Sequence, residues 1–178
     1  MATKPETRFI QRVNAHLPLF GRACPKNILE AYSDRIFYEK MNNPYKAGVP
    51  DCWYGGTACD AWVEYKWVDK IPKHGICPED YLTPLQADWL TSHSGNQHRA
   101  CYAVIGTPQG VLVATHAEFG IMYLPEHTPP AEVNGFAART FTGNFLTIPE
   151  FARFFYYKLT WLNPAVAPDS PQTRCNKP

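Results

Sequence analysis

The chain has 178 residues, 17 Lys and Arg against 16 Asp and Glu, and a formal net charge of +1. That length suits one domain with a real core, and 45% apolar with 19% charged residues excludes a disordered or fibrous chain. A near-neutral balance leaves nucleic acid open as a partner, but only through a local basic patch that makes few phosphate contacts. The six Cys residues show neither CxxC spacing nor a zinc-finger arrangement with His. No run approaches ~18 apolar residues, so no membrane span is expected. The first residues, Met-Ala-Thr-Lys-Pro-Glu-Thr, lack the apolar stretch of a signal peptide. The expectation is a cytoplasmic protein with reduced thiols.

In chain order, residues 5–18 read as a helix, with Pro5 in its first turn and Pro18 at its end. Phe9, Ile10, Val13 and Leu17 form its apolar stripe. Glu6, three residues before Phe9, is expected on the buried side, where a carboxylate needs a reason. Residues 34–41 read as a strand, followed by a loop from Asn42 to Gly48. Val49 to Tyr54 reads as a short strand, Gly55-Gly56 as a turn, and 61–68 as the clearest strand in the chain. The last two strands form an antiparallel hairpin.

Thr83 then caps a helix with Pro84 at its first position, running to about His93. Strands at 100–105 and 110–115 follow, and 120–146 is expected to hold loops with short strands. Thr147 and Glu150 form a capping box for a helix with Phe151, Phe154, Phe155, Leu159 and Leu162 on one face. Residues 1–163 make one domain and 164–178 a Pro-rich tail that frays. This order predicts an α/β fold, a mixed central β-sheet flanked by helices.

The chemistry gathers in the hairpin. Side chains alternate across a strand, so Glu64 and Lys66 share one face, and Val63, Tyr65 and Trp67 the other. A solvated salt bridge would contribute little there, but Trp62 and Val68 on the same face argue against full exposure. Burying an acid and a base is costly unless they pair or bind something. Asp51 lies on the preceding strand, and hairpin arms come within ~5 Å, so Asp51 can face Glu64. Two carboxylates that close repel, and a divalent cation removes the repulsion. Asp60, in the insert between them, is a rival ligand.

The segments Gly48-Val49-Pro50-Asp51 and Glu64-Tyr65-Lys66, thirteen positions from Asp51 to Glu64, resemble the PD-(D/E)xK nuclease superfamily. The branch most similar is that of virus-type replication-repair (VRR-Nuc) nucleases and Holliday-junction resolvases. There a Glu on the first helix, matched by Glu6, often joins the metal site. A Gln on the helix after the Glu-x-Lys strand is common too, and Gln86 matches it. The resemblance covers about the first two thirds of the chain. It implies a restriction-endonuclease-like core and Mg²⁺- or Mn²⁺-dependent DNA endonuclease activity, with branched or junction DNA among the implied substrates. Asp51, Glu64, Glu6 and the Tyr65 carbonyl would be metal ligands, with Lys66 and Gln86 completing the catalytic set. A homodimer is implied as well, since two symmetric nicks need two sites. Lys40, Lys46, Lys70 and Lys73 flank the site in sequence and are candidate phosphate contacts. The alternative is an inactive nuclease-like fold that serves as a DNA- or protein-binding module.

Overall fold

A computed structural model describes residues 3–23, 25–41, 48–73, 75–76, 78–94, 99–115 and 145–160. Helices α1 (Pro5–Asn14) and α2 (Lys26–Ala31) precede three strands, β1 (Phe37–Lys40), β2 (Cys52–Gly55) and β3 (Asp60–Trp67). Helix α3 (Pro84–His93), strands β4 (Arg99–Thr107) and β5 (Gly110–Thr115), and helix α4 (Ile148–Thr160) follow. The strands form one sheet in the order β1-β2-β3-β4-β5. β1, β2 and β3 are successively antiparallel, β3 and β4 are parallel, and β4 and β5 are antiparallel. A parallel pair needs a long crossover, and the segment carrying a 3₁₀ turn at Pro78–Tyr81 and then α3 supplies it.

Strand alternation divides the burial between two layers. On one face Ala61, Val63, Tyr65, Tyr102, Val104, Val111 and Val113 pack with Phe9, Ile10 and Val13 of α1 and with Phe151, Phe155 and Leu159 of α4. On the other face Cys101, Ala103 and Ala114 meet Leu90 of α3, while Ile105 and Leu112 meet Val68 and Ile76 of the crossover. The expected α/β class, a mixed sheet with flanking helices, is the observed one. Gly106 lets α1 approach closely: a Cβ there would stand 2.7 Å from the Phe9 ring.

Three expectations change. The first helix ends at Asn14 rather than 18, because Leu19 must leave the helix to bridge Ile36. Pro18 also drives Leu17 toward extended backbone. Two short elements, α2 and the 3₁₀ turn, carry no long apolar period that could announce them. The first strand is trimmed to Phe37–Lys40.

Helix α4 begins as expected: Thr147 N donates to Glu150 Oε2 at 2.8 Å, and Glu150 N to Thr147 Oγ1 at 3.3 Å. Its other end is closed by the hairpin turn. Ala58 N and Cys59 N both donate to the Leu159 carbonyl, at 2.9 and 3.2 Å, satisfying an end group that the helix leaves open. Among the described residues no helix is long and apolar enough to cross a membrane. The expectations for 120–144, Leu162 and the Pro-rich tail lie outside the described residues, as does Lys46.

Candidate active site

The register Cys52↔Val63 places Asp51, one residue before β2, opposite Glu64. The next step would set Pro50 opposite Tyr65. Pro50 has no N–H to give to the ladder, so pairing stops. The Tyr65 N–H, left over at that point, donates instead to Asp51 Oδ2 at 2.9 Å. In an extended strand the N–H and C=O of one residue point to the same edge. The Tyr65 carbonyl is therefore directed to the Asp51 side, opposite a residue that cannot donate to it. The Pro-Asp pair both ends the strand and supplies the carboxylate that takes over its hydrogen bond.

Glu64 is 1% exposed. Its Oε1 takes two donors, Lys66 Nζ at 2.8 Å and Gln86 Nε2 from the first turn of α3. Its Oε2 is buried and has no hydrogen-bond partner among the described residues. An orphaned carboxylate oxygen costs several kcal/mol in a low-dielectric site. Burial, and then the facing Asp51 charge, push the Glu64 carboxyl up to about 7, while Lys66 pulls it back down. Glu64 thus has one oxygen doubly satisfied and the other bare among the described residues.

The segment carrying Asp51 is fixed to α3 by Gly48. Its φ is +89°, and a Cβ there would lie 2.6 Å from the Leu85 carbonyl oxygen, beside Gln86. Gly48→Ala should therefore cost about 1–3 kcal/mol of stability from the left-handed backbone alone, and more from the close approach. Urea denaturation would show it as a lower midpoint with an unchanged slope.

Beneath the site, on the α1 face, Tyr54 OH donates to Asn14 Oδ1 at 2.8 Å and lies 3.0 Å from Tyr65 OH. This chain ties β2 and β3 to α1. Phe9 meets the Tyr65 ring edge-on at 5.6 Å. Cys52 follows Asp51, but burial pushes its thiol up to about 12, so it stays neutral and is no thiolate nucleophile at physiological pH. The site face carries an aromatic file that sequence reasoning missed. Trp62 packs against Trp89 at 5.0 Å, and Trp89 stacks on His93 at 4.0 Å with rings 4° from parallel. The signal was present: 62, 64 and 66 alternate on β3, while 86, 89 and 93 lie on one side of α3.

Asp51, Glu64, Lys66, Gln86 and the backbone of Tyr65 are brought together. Glu6 is not. It sits half-exposed in the first turn of α1, which suits an acid at the positive helix end, and its side chain hydrogen-bonds to none of these site residues. By helical spacing it keeps the face of Phe9, Ile10 and Val13, as expected, but it is half-exposed there rather than buried. Among the described residues no group of three or more His, Cys, Asp or Glu side chains gathers as a metal cage. Asp60 does not compete, being paired with Gly55 at the far end of β3, where it accepts from Trp53 Nε1 at 3.5 Å.

Lys40 is exposed at the end of β1 nearest Asp51, where Met41 N donates to the Asp51 carbonyl at 2.7 Å. Lys70 and Lys73 are exposed just beyond the end of β3 that carries Lys66. These three lysines thus leave the sheet at the end that holds the carboxylates. A cleft of about 390 Å³ between α1, the β4–β5 turn and the start of α4 lies on the other side and includes none of the site residues.

A scan against models of known protein families, a search of curated proteins and a search of solved structures each returned no match.

Proposed function

We propose that this chain is a metal-dependent nuclease that hydrolyses phosphodiester bonds in DNA, built on a restriction-endonuclease-like core. One observation carries the reading: the buried Glu64 carboxylate, opposite Asp51, has one oxygen fixed by Lys66 and Gln86 and the other without a hydrogen-bond partner among the described residues. That donor set fits a hard divalent cation, which prefers oxygen ligands and offsets two adjacent carboxylates. Asp51, Glu64 and the Tyr65 carbonyl would hold Mg²⁺ or Mn²⁺. When bound, the ion would polarise a phosphoryl oxygen and acidify a water.

The remaining work belongs to side chains. Lys66, 19% exposed and anchored to Glu64, can meet the negative charge that builds on the phosphate during attack. Gln86 keeps Glu64 in one orientation. Lys40, Lys70 and Lys73 offer the local positive charge that a near-neutral chain needs to hold a phosphate backbone. Further support comes from the element order, in which two helices precede three antiparallel strands and the third helix lies in the crossover to a parallel fourth strand. The resemblance of Gly48–Asp51 and Glu64–Lys66 to the PD-(D/E)xK superfamily points the same way. So does the placing of its Gln counterpart on the carboxylate.

The test is a cleavage panel with supercoiled plasmid, linear duplex, single strand, flap and four-way junction, in Mg²⁺, Mn²⁺ and EDTA. Metal-dependent cleavage of any of these, lost in Asp51→Asn, is the expected result. No cleavage of any of them by folded wild type overturns the reading. Junction binding that ignores both EDTA and Asp51→Asn would instead mark the chain as a binding module.

A further inference from the structure

Gln86 has two attachments at once. It is the third residue of α3 and part of a reciprocal cap: Thr83 Oγ1 accepts from Gln86 N at 3.3 Å, and Gln86 Oε1 accepts from Thr83 N at 2.9 Å. The same side-chain amide donates through Nε2 to Glu64 Oε1. An amide has one acceptor end and one donor end. Once Thr83 N–H holds the oxygen, the NH₂ group can only face the carboxylate. Turned over, the amide would set its oxygen against an ionised carboxylate and its NH₂ against an N–H.

From this geometry we infer that Thr83 is a positioning residue for the site. Its backbone N–H locks the Gln86 amide, and its hydroxyl holds the Gln86 backbone N–H, so that Glu64 Oε1 is occupied by donors and Oε2 is presented. A helix cap, normally a local stabilising device, here sets the orientation of a carboxylate 19 positions earlier on β3. The consequence for cation binding rests on the nuclease reading; the amide lock itself does not.

Thr83 is exposed, with φ −70° and ψ 155°. Those angles suit proline, which would delete both the N–H and the hydroxyl, and they suit a residue that precedes Pro84. Thr83→Ser keeps both groups. The test compares wild type, T83S and T83P in full-length protein. The first readout is the side-chain NH₂ resonances of Gln86 by NMR in metal-free protein. The second is Mn²⁺ affinity by calorimetry.

In wild type and T83S, the two Gln86 protons should be widely separated and protected from exchange. In T83P they should collapse toward free-amide positions, and Mn²⁺ should bind about tenfold more weakly, the usual scale for losing an outer-shell partner. E64A, which removes the acceptor, should lose the same signature without touching Thr83. Unchanged Gln86 resonances in T83P overturn the lock. Should T83P fail to fold, wild type alone decides: a scalar coupling across the hydrogen bond from Thr83 N to the Gln86 side-chain carbonyl is expected, and its absence overturns the lock equally. Because the NMR readout needs neither metal nor DNA, a negative result would leave the cleavage reading standing, and absent cleavage would leave the lock standing.

Discussion

Asp51→Asn, Glu64→Gln and Lys66→Ala should each reduce metal-dependent DNA cleavage by about 10³-fold or more, and the first two should leave the fold intact. Asp51→Asn keeps a side-chain oxygen that can accept from Tyr65 N, so the end of the β2–β3 pairing stays tied. Glu64→Gln is nearly isosteric, and its amide oxygen can still accept from Lys66 and Gln86. What both lose is negative charge where a cation would sit. Lys66→Ala differs, because it strands the buried Glu64 without its cation and should lower stability as well as rate. Single-turnover cleavage with circular dichroism and thermal melts would separate these outcomes. Wild-type rates in either of the first two variants would remove those carboxylates from the chemistry.

The stability of the metal-free protein should fall as pH rises from about 4.5 to 7, and Glu64→Gln should abolish that share of the fall. The folded state holds the Glu64 proton up to about 7, against an ordinary value of 4.5 that serves for the unfolded chain. Between those values the folded state binds one proton more than the unfolded state. The linkage slope is then negative: stability from this group is fully present below the unfolded value and is lost as pH climbs through the folded one. The span is on the order of 3 kcal/mol. Burial is its first cause, and the facing Asp51 its second. Urea titrations in EDTA across pH 4–8 would measure it. Parallel curves for wild type and E64Q would show that Glu64 ionises in the fold as it does in water. Adding Mg²⁺ above pH 7 should restore stability to wild type alone, because only the ionised carboxylate attracts the cation.

Much of this was legible from the residues. Alternation along Glu64-Tyr65-Lys66 separated the polar face from the core face before any coordinates, and Asp51 does fall opposite Glu64. The capping signals at Thr83 and Thr147 both describe actual helix starts. Period and caps are local, so they can be read locally. What stayed hidden was long-range or irregular. Nothing near Glu6 says where the first turn of α1 lies relative to the sheet. The four-residue excess on that helix arose because the bridge between Leu19 and Ile36 is a tertiary contact. The double use of Gln86 required knowing that the crossover returns α3 over β3. The orphaned Oε2 of Glu64 is a property of packing and has no sequence signature at all.

The turn between β2 and β3 closes the carboxyl end of α4, with Cys59 Sγ 3.1 Å from the Lys158 carbonyl across 99 positions of chain. Asp34 N likewise reaches Tyr156 OH, 122 positions away. Every residue of the site lies in the first half of the chain, yet the hairpin that carries it is fastened by the last described helix. During synthesis the amino-terminal half would emerge with Tyr54 and Val63 still uncovered, awaiting Phe151 and Phe155. Assembly of the site thereby waits until α4 has been made, and the long sequence separations favour slow, all-at-once closure over stepwise growth. A nascent chain halted before residue 148 would display the motif without the scaffold that holds it in register.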